Sequence, residues 1–297
     1  MRISKKENLA PFILWVLFVA STGLVLYYVV VNLTGNDGQP SLAEIFSNRP
    51  IFILSATVGL ALILTHAWVS LGLLRGTFFV FLAFSLGLAA EVVGVKTGFI
   101  FGGKYIYTAG NTPVFMGIPL LVPIFWTAFV STSCGLVNAF VAWLDRNKNH
   151  KNNSSTTHLL PTIVLDGLAV VAIDLILDPL QVAAGNWRWL TPGGFYDVPW
   201  GNFAGWFLVV VFITGIFRTV EHYFPVKRGV NPAAPLISAA SYALLGIVLG
   251  AFALKRRMFG LSLIGLAVML PLGLAGIYSS LRKAALQPPG TPAENQR

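Results

Sequence analysis

Residues 159–180 read LLPTIVLDGLAVVAIDLILDPL. A run of this length and apolarity suits a helix crossing a bilayer, which needs about 20 such residues. Yet it carries Asp166, Asp174 and Asp178. A carboxylate at bilayer depth costs roughly 2.5–3.5 kcal/mol on insertion scales, so the three oppose insertion by about 8–10 kcal/mol. A wet cavity, a partner group or protonation must offset that. Helical geometry sets Asp174 and Asp178 about 40° apart and about 6 Å along the axis, on one face. Asp166 lies about 80° from Asp174 and about 12 Å deeper. Asp178-Pro179 marks the expected end of regular helix, because the residue before proline is steered away from the α region.

The rest of the chain shares this character. It has 297 residues, 56% hydrophobic and 10% charged, against about 25% charged in a soluble domain. Eight runs are long and apolar enough to span: 10–33, 51–74, 77–95, 117–144, 159–180, 203–220, 235–254 and 258–281. The expected fold is an all-α polytopic membrane bundle of about eight helices. One transmembrane domain covers 1–286, with a disordered tail over 287–297 and a polar loop over 145–158. The first run is too long for a cleavable signal and reads as a helix. With the N-terminus inside, 13 of the 20 Lys and Arg fall on the inner side, which places the N-terminus in the cytoplasm of a cell-membrane protein. Lys255, Arg256 and Arg257 dissent from that count.

Several chemistries lose support. The net charge of +9 comes from basic residues at span ends, where lipid headgroups explain it without nucleic acid. Cys134 is the one cysteine, which excludes an internal disulfide or a thiolate cluster. Four scattered histidines without a paired spacing give no support for a metal site. His66 reads as an interhelical hydrogen-bonder, and Arg218, Glu221 and His222 as interfacial anchors. No Gly-rich nucleotide loop or Gly-x-Ser-x-Gly elbow is present.

Two stretches resemble each other. Glu91 ends one span, an aromatic loop follows, and Trp126 comes seven residues after Pro119. Asp178 ends another, a second aromatic loop follows, and Trp206 comes seven residues after Pro199. Ancestral duplication and chance both account for this; a duplication here is parallel, since both units run in–out–in. Either way, Glu91 and Asp178 sit near the outer surface beneath loops carrying Tyr105, Tyr107, Trp187 and Trp189. An interfacial aromatic belt explains about half of the rings, but not the acids beneath them.

Taken together, Glu91-Val-Val-Gly94, Thr97-Gly98, Phe101-Gly102, Tyr105-Ile-Tyr107, Gly117-Ile-Pro119 and Trp126 form one set of motifs. Asp174-Leu-Ile-Leu-Asp178-Pro179, Trp187-Arg-Trp189, Tyr196-Asp-Val-Pro199 and Asn202-Phe-Ala-Gly205-Trp206 form the second. The pattern, covering roughly 78–206, resembles the integral-membrane carotenoid biosynthesis family that includes carotenoid 1,2-hydratases. Gly103 and Lys104 make one departure, lengthening the spacing between Phe101-Gly102 and Tyr105. The resemblance implies addition of water across the terminal 1,2 double bond of an acyclic carotenoid end group. It implies no cofactor, an apolar carotenoid substrate, and association with other carotenoid biosynthesis enzymes and membrane lipid.

That chemistry needs an acid to protonate the less substituted carbon, a surface to stabilise the tertiary cation, and positioned water. Two buried carboxyls a turn apart, Asp174 and Asp178, suit a pair holding one proton near neutral pH. Trp126, Trp189 and Trp206 offer ring faces, each worth about 0.5–2 kcal/mol or more to a desolvated cation, and Tyr105 and Trp187 join them against the substrate. Glu91 orients water or accepts its proton, Asn202 holds that water or pairs with an acid, and Asp166 completes the catalytic candidates. Two other readings stay open: a carotene cyclase, which closes a ring on the same cation, and a proton-coupled lipid or solute transporter.

Overall fold

The structure, a computed structural model, describes residues 9–34, 49–108, 113–147, 159–225, 231 and 233–285. The expected tail over 287–297, most of the loop over 145–158, and Arg2, Lys5 and Lys6 lie outside the described residues.

Among the described residues, eight helical spans form the bundle, each long and apolar enough to cross a membrane. The chain is a multi-pass membrane protein. In order they are α1 (Leu9–Thr34), α2 (Arg49–Leu71), α3 (Leu73–Thr97), α4 (Leu121–Asn147), α5 (Leu159–Ala183), α6 (Trp200–Tyr223) and α7 (Ala233–Lys255). The eighth is composite: α8 (Phe259–Ile264), a π-helical turn over Gly265–Met269, and α9 (Leu270–Ala285). α1 and α2 bury few of their side chains, as helices facing lipid do, whereas α4, α5 and α7 bury more than half of their most apolar stretches. The acid-bearing run 159–180 is thus at the centre of the fold.

Three features depart from the sequence expectation. The aromatic loops are strands: β1 (Tyr105–Tyr107) pairs antiparallel with β4 (Trp187–Trp189), Tyr105 opposite Trp189 and Tyr107 opposite Trp187. The fourth span begins at Leu121 rather than 117, because β2 (Val114–Phe115) and β3 (Ile118–Pro119) form a hairpin. Its two turn residues, Met116 and Gly117, both have positive φ, the geometry of a tight two-residue turn. Finally, α5 runs through Pro179 to Ala183. Proline removes one backbone donor, but the helix is within a turn of its end and is closed by Ala184 N–H on the Leu180 carbonyl at 2.9 Å. Membrane helices tolerate such a loss where neighbours satisfy the freed group.

The strand end of the bundle is packed by glycines. Gly98, at φ 74°, caps α3 by donating to the Gly94 carbonyl, a left-handed termination suited to glycine. The following turn rests on the start of α6: a Cβ on Gly102, itself at φ 70°, would fall 2.7 Å from Gly201 Cα. Two backbones therefore meet directly, bringing the segment before β1 over α6.

Candidate active site

Glu91 and its neighbours on α3 show how the sequence shapes the site. Gly87, Glu91 and Gly94 repeat at helical spacing and share one face. A Cβ on Gly87 would lie 2.7 Å from the Trp126 ring, and one on Gly94 2.4 Å from Phe101. The glycines make room for rings above and below the acid, and its donors come from Trp126 on one side and from two tyrosines on the other. Glu91 Oε2 accepts from the phenols of Tyr105 and Tyr107, both at 2.6 Å. Glu91 Oε1 accepts from Trp126 Nε1 at 2.8 Å. Tyr105 and Tyr107 both reach Glu91 because strand residues two apart point to the same face. The extra Gly103 and Lys104 therefore leave Tyr105 on Glu91.

Burial, and then the neighbouring Glu91 carboxyl, push both phenols above the ordinary tyrosine value. They remain donors over the whole physiological range.

Across from Glu91, α5 and α6 build the second acid group. Asn202, at the start of α6, donates through Nδ2 to Asp174 Oδ2 at 2.9 Å and to Asp178 Oδ2 at 2.5 Å. The two carboxyls are also in hydrogen-bonding contact with each other. Asp174 Oδ1 is buried and has no other donor among the described residues.

Both groups meet at one cavity. Its polar lining is Glu91, Asp178 and Asn202, with the phenols of Tyr105 and Tyr107; Trp187, Trp189, Trp206, Phe125 and Phe129 are among its rings. Among the described residues, no cation lines it. Its free space is about 30 Å³, room for a water or two.

The ten sequence candidates separate into three positions. Glu91, Asp178, Tyr105, Trp187, Trp189, Asn202 and Trp206 line the cavity. Asp174 and Trp126 stand behind it: Trp126 is fully buried, holds Glu91, and stacks on Trp206 with ring centroids 3.8 Å apart at 14°. Asp166 is elsewhere, in a bidentate pair with Arg218 at 2.5 and 2.8 Å. Arg218 also donates to Asn138 Oδ1 at 2.9 Å. Arg218 is therefore a buried partner of a membrane acid and not the interfacial anchor its place near a span end implied. An unpaired Asp166 inside the bundle would be too costly, so the arginine turns inward. His66 does bridge helices: its Nε2 lies 3.0 Å from the Ala234 carbonyl and 2.9 Å from Ser238 Oγ.

Tyr107 is the functional neighbour the sequence reading left among generic loop rings. Its signal was the Tyr-x-Tyr alternation, legible only once the segment is known to be extended.

The family described as carotenoid biosynthesis protein matches residues 49–272, three quarters of the chain and every residue of the cavity wall. This chain belongs to the carotenoid biosynthesis protein family. The bisanhydrobacterioruberin hydratase of Haloarcula japonica is 37% identical to the chain over 119 residues. That match covers 40% of this chain and 36% of the relative, so it spans about a third of the relative's length. No solved structure matches the chain. In this carotenoid biosynthesis protein, one cavity has acids on two walls and rings between them.

Proposed function

We propose that this protein is a carotenoid hydratase of the cell membrane, adding water across the terminal 1,2 double bond of an acyclic carotenoid end group. The observation that carries this reading is the single cavity in which Asp178 and Glu91 face a common ring-lined space. Their hydrogen-bond partners set them in different states. Glu91 accepts from the hydroxyls of Tyr105 and Tyr107 and from the Trp126 N–H, a set of three donors that suits an ionised carboxylate. Asp174 and Asp178 share one amide donor with no cation beside them, and Asp174 Oδ1 has no donor other than a proton held within the pair. One proton on the pair satisfies both acids.

The reaction follows from that difference. Asp178 gives its proton to the less substituted alkene carbon; the π electrons form the new C–H bond and leave a tertiary cation. Asp174, beside it on the Asn202 amide, shares that one proton with Asp178 before the transfer. Trp189 and Trp206 present ring faces, a favourable surface for a desolvated cation. Water beside Glu91 forms the C–O bond, and Glu91 takes the proton released from the oxonium. Return of that proton to the aspartate pair through cavity water restores the starting state, with one water added to the substrate.

A cyclase shares every step up to the cation. Water capture is favoured because the free space beside Glu91 has room for the water that the addition consumes, whereas ring closure consumes none. Purified protein given a lycopene-type substrate should yield a product heavier by one water. A product of unchanged mass would support ring closure instead.

A further inference from the structure

The candidate active cavity does not end at its own walls. Phe125 and Phe129, which stack with centroids 5.9 Å apart at 16°, line it on one side. The same two rings line a second cavity of about 290 Å³, walled by α1, α2, α4 and α7 and largely apolar. That cavity in turn shares His66 and Ser131 with a third, of about 360 Å³. The three follow one another along α4, from Val122 at the first to Val141 at the last. Nineteen residues of helix extend roughly 28 Å, close to the 30 Å or so of a bilayer's hydrocarbon core.

The chemistry changes along this path. The first cavity holds the acids and rings. The middle one is walled by side chains such as Val25, Leu62, Ile237 and Val248. The last adds polar groups to an apolar wall, with Asn138, Arg218, Glu221, Ser279 and Ser280 among its lining residues. Arg218 is already tied both to Asp166 and to Asn138, so this end has a fixed hydrogen-bonding frame rather than loose surface side chains.

We propose that these cavities are one lumen, which takes a linear polyene lengthwise with its reacting end at Asp178 and a hydroxylated far end at the Asn138–Ser280 cavity. This rests on the hydration reading for the identity of the reacting end. An apolar rod matches the middle cavity, and a terminal hydroxyl suits the polar frame better than a hydrocarbon end, which would strip those groups of water without returning hydrogen bonds. The Phe125–Phe129 pair stands at the junction and must part for the end group to reach the acids. The occupant is thus an acyclic carotenoid already carrying a hydroxyl at its opposite terminus, and the reaction class that supplies it is an earlier hydration or hydroxylation at that terminus.

The test is binding, read by the visible absorption shift of the polyene on the purified full chain in nanodiscs. Two probes serve: a lycopene-type polyene with one hydroxylated end, and the same polyene with two hydrocarbon ends. Ser131→Phe and Ser241→Phe place a ring in the lumen from α4 and α7, away from the acids. Each should weaken binding of the hydroxylated polyene at least tenfold. If one variant does not fold, the other decides. Wild-type protein should bind the hydroxylated probe at least fivefold more tightly than the hydrocarbon one. Affinity within twofold of wild type in a folded blocked variant overturns the lumen, and equal affinity for the two probes overturns the far-end assignment. If both binding results hold but no protein adds water, the lumen stands and the hydration reading falls. If water is added while a blocked variant binds normally, the lumen alone falls.

Discussion

The indole of Trp126 lies flat on that of Trp206, ring centroids 3.8 Å apart, while its N–H holds Glu91 at 2.8 Å. Each tryptophan follows a proline by seven residues in its own half of the chain, and the halves meet again where Tyr105 and Tyr107 pair with Trp189 and Trp187. The stack joins the wall bearing Glu91 to the wall bearing Asn202, so the distance between the two acid groups is set by two rings in contact. Trp126→Phe retains an aromatic face but removes the donor. Loss of a hydrogen bond to a charged group costs about 1.5–3 kcal/mol, so turnover should fall on the order of tenfold or more while the protein still purifies folded. Steady-state hydration rates beside a thermal melt check this; an unchanged rate would mean Glu91 does not depend on that indole.

Gly94 permits the contact between Glu91 and its phenols. Gly94→Ala would put a methyl 2.4 Å from Phe101 and 3.0 Å from the Tyr105 hydroxyl. Overpacking of this kind costs about 1–3 kcal/mol. We expect a lower melting temperature and impaired hydration together. Gly23, whose added Cβ meets nothing within 4 Å, is the control, and its alanine variant should melt as wild type does or slightly higher.

The phenols give a pH signature. Tyr105 and Tyr107 are pushed above the ordinary value by burial and then by Glu91. A group raised in the folded state contributes stability that is complete below the unfolded value, near 10, and declines as pH rises beyond it. Ultraviolet titration of the folded protein should show these two tyrosines still protonated at pH about 10–11, when exposed tyrosines have begun to ionise. Tyr105→Phe/Tyr107→Phe should leave that early phase intact. Its disappearance would show that the two tyrosines titrate normally.

Asp166 and Arg218 should behave as a structural unit. Removing one partner of a buried pair costs about 3–5 kcal/mol, whereas replacing both with apolar residues is often close to neutral. Asp166→Leu and Arg218→Met should each destabilise the protein, and the double variant should recover most of the loss. Thermal unfolding of the four proteins measures this. If the single changes are silent, the pair does not offset the burial of Asp166.

The sequence made the spans legible because a bilayer demands about 20 apolar residues for each crossing. It also brought seven of the ten candidate side chains to the cavity wall, since acids inside apolar runs are too costly to place without a reason. The strand pairing was hidden: segments of three residues such as Tyr105–Tyr107 carry no periodicity of their own and are fixed only by their partner. Arg218 was hidden for a different reason. A basic residue near a span end looks the same in sequence whether it reaches headgroups or turns inward to Asp166, and only the position of α5 beside α6 separates the two. The end of α5 was misjudged because proline's local cost is outweighed by the packing of Asp178 against Asn202.

The most direct measurement is hydration by wild-type protein, Asp178→Asn and Glu91→Gln on a lycopene-type substrate in water enriched in oxygen-18. Wild type should place the labelled oxygen in a tertiary alcohol, and each variant should lose about 10²–10⁴-fold of that rate, the span of general acid and base effects, while remaining folded. Full conversion by both variants, or a wild-type product without the label, would contradict the assignment of these two carboxyls to water addition.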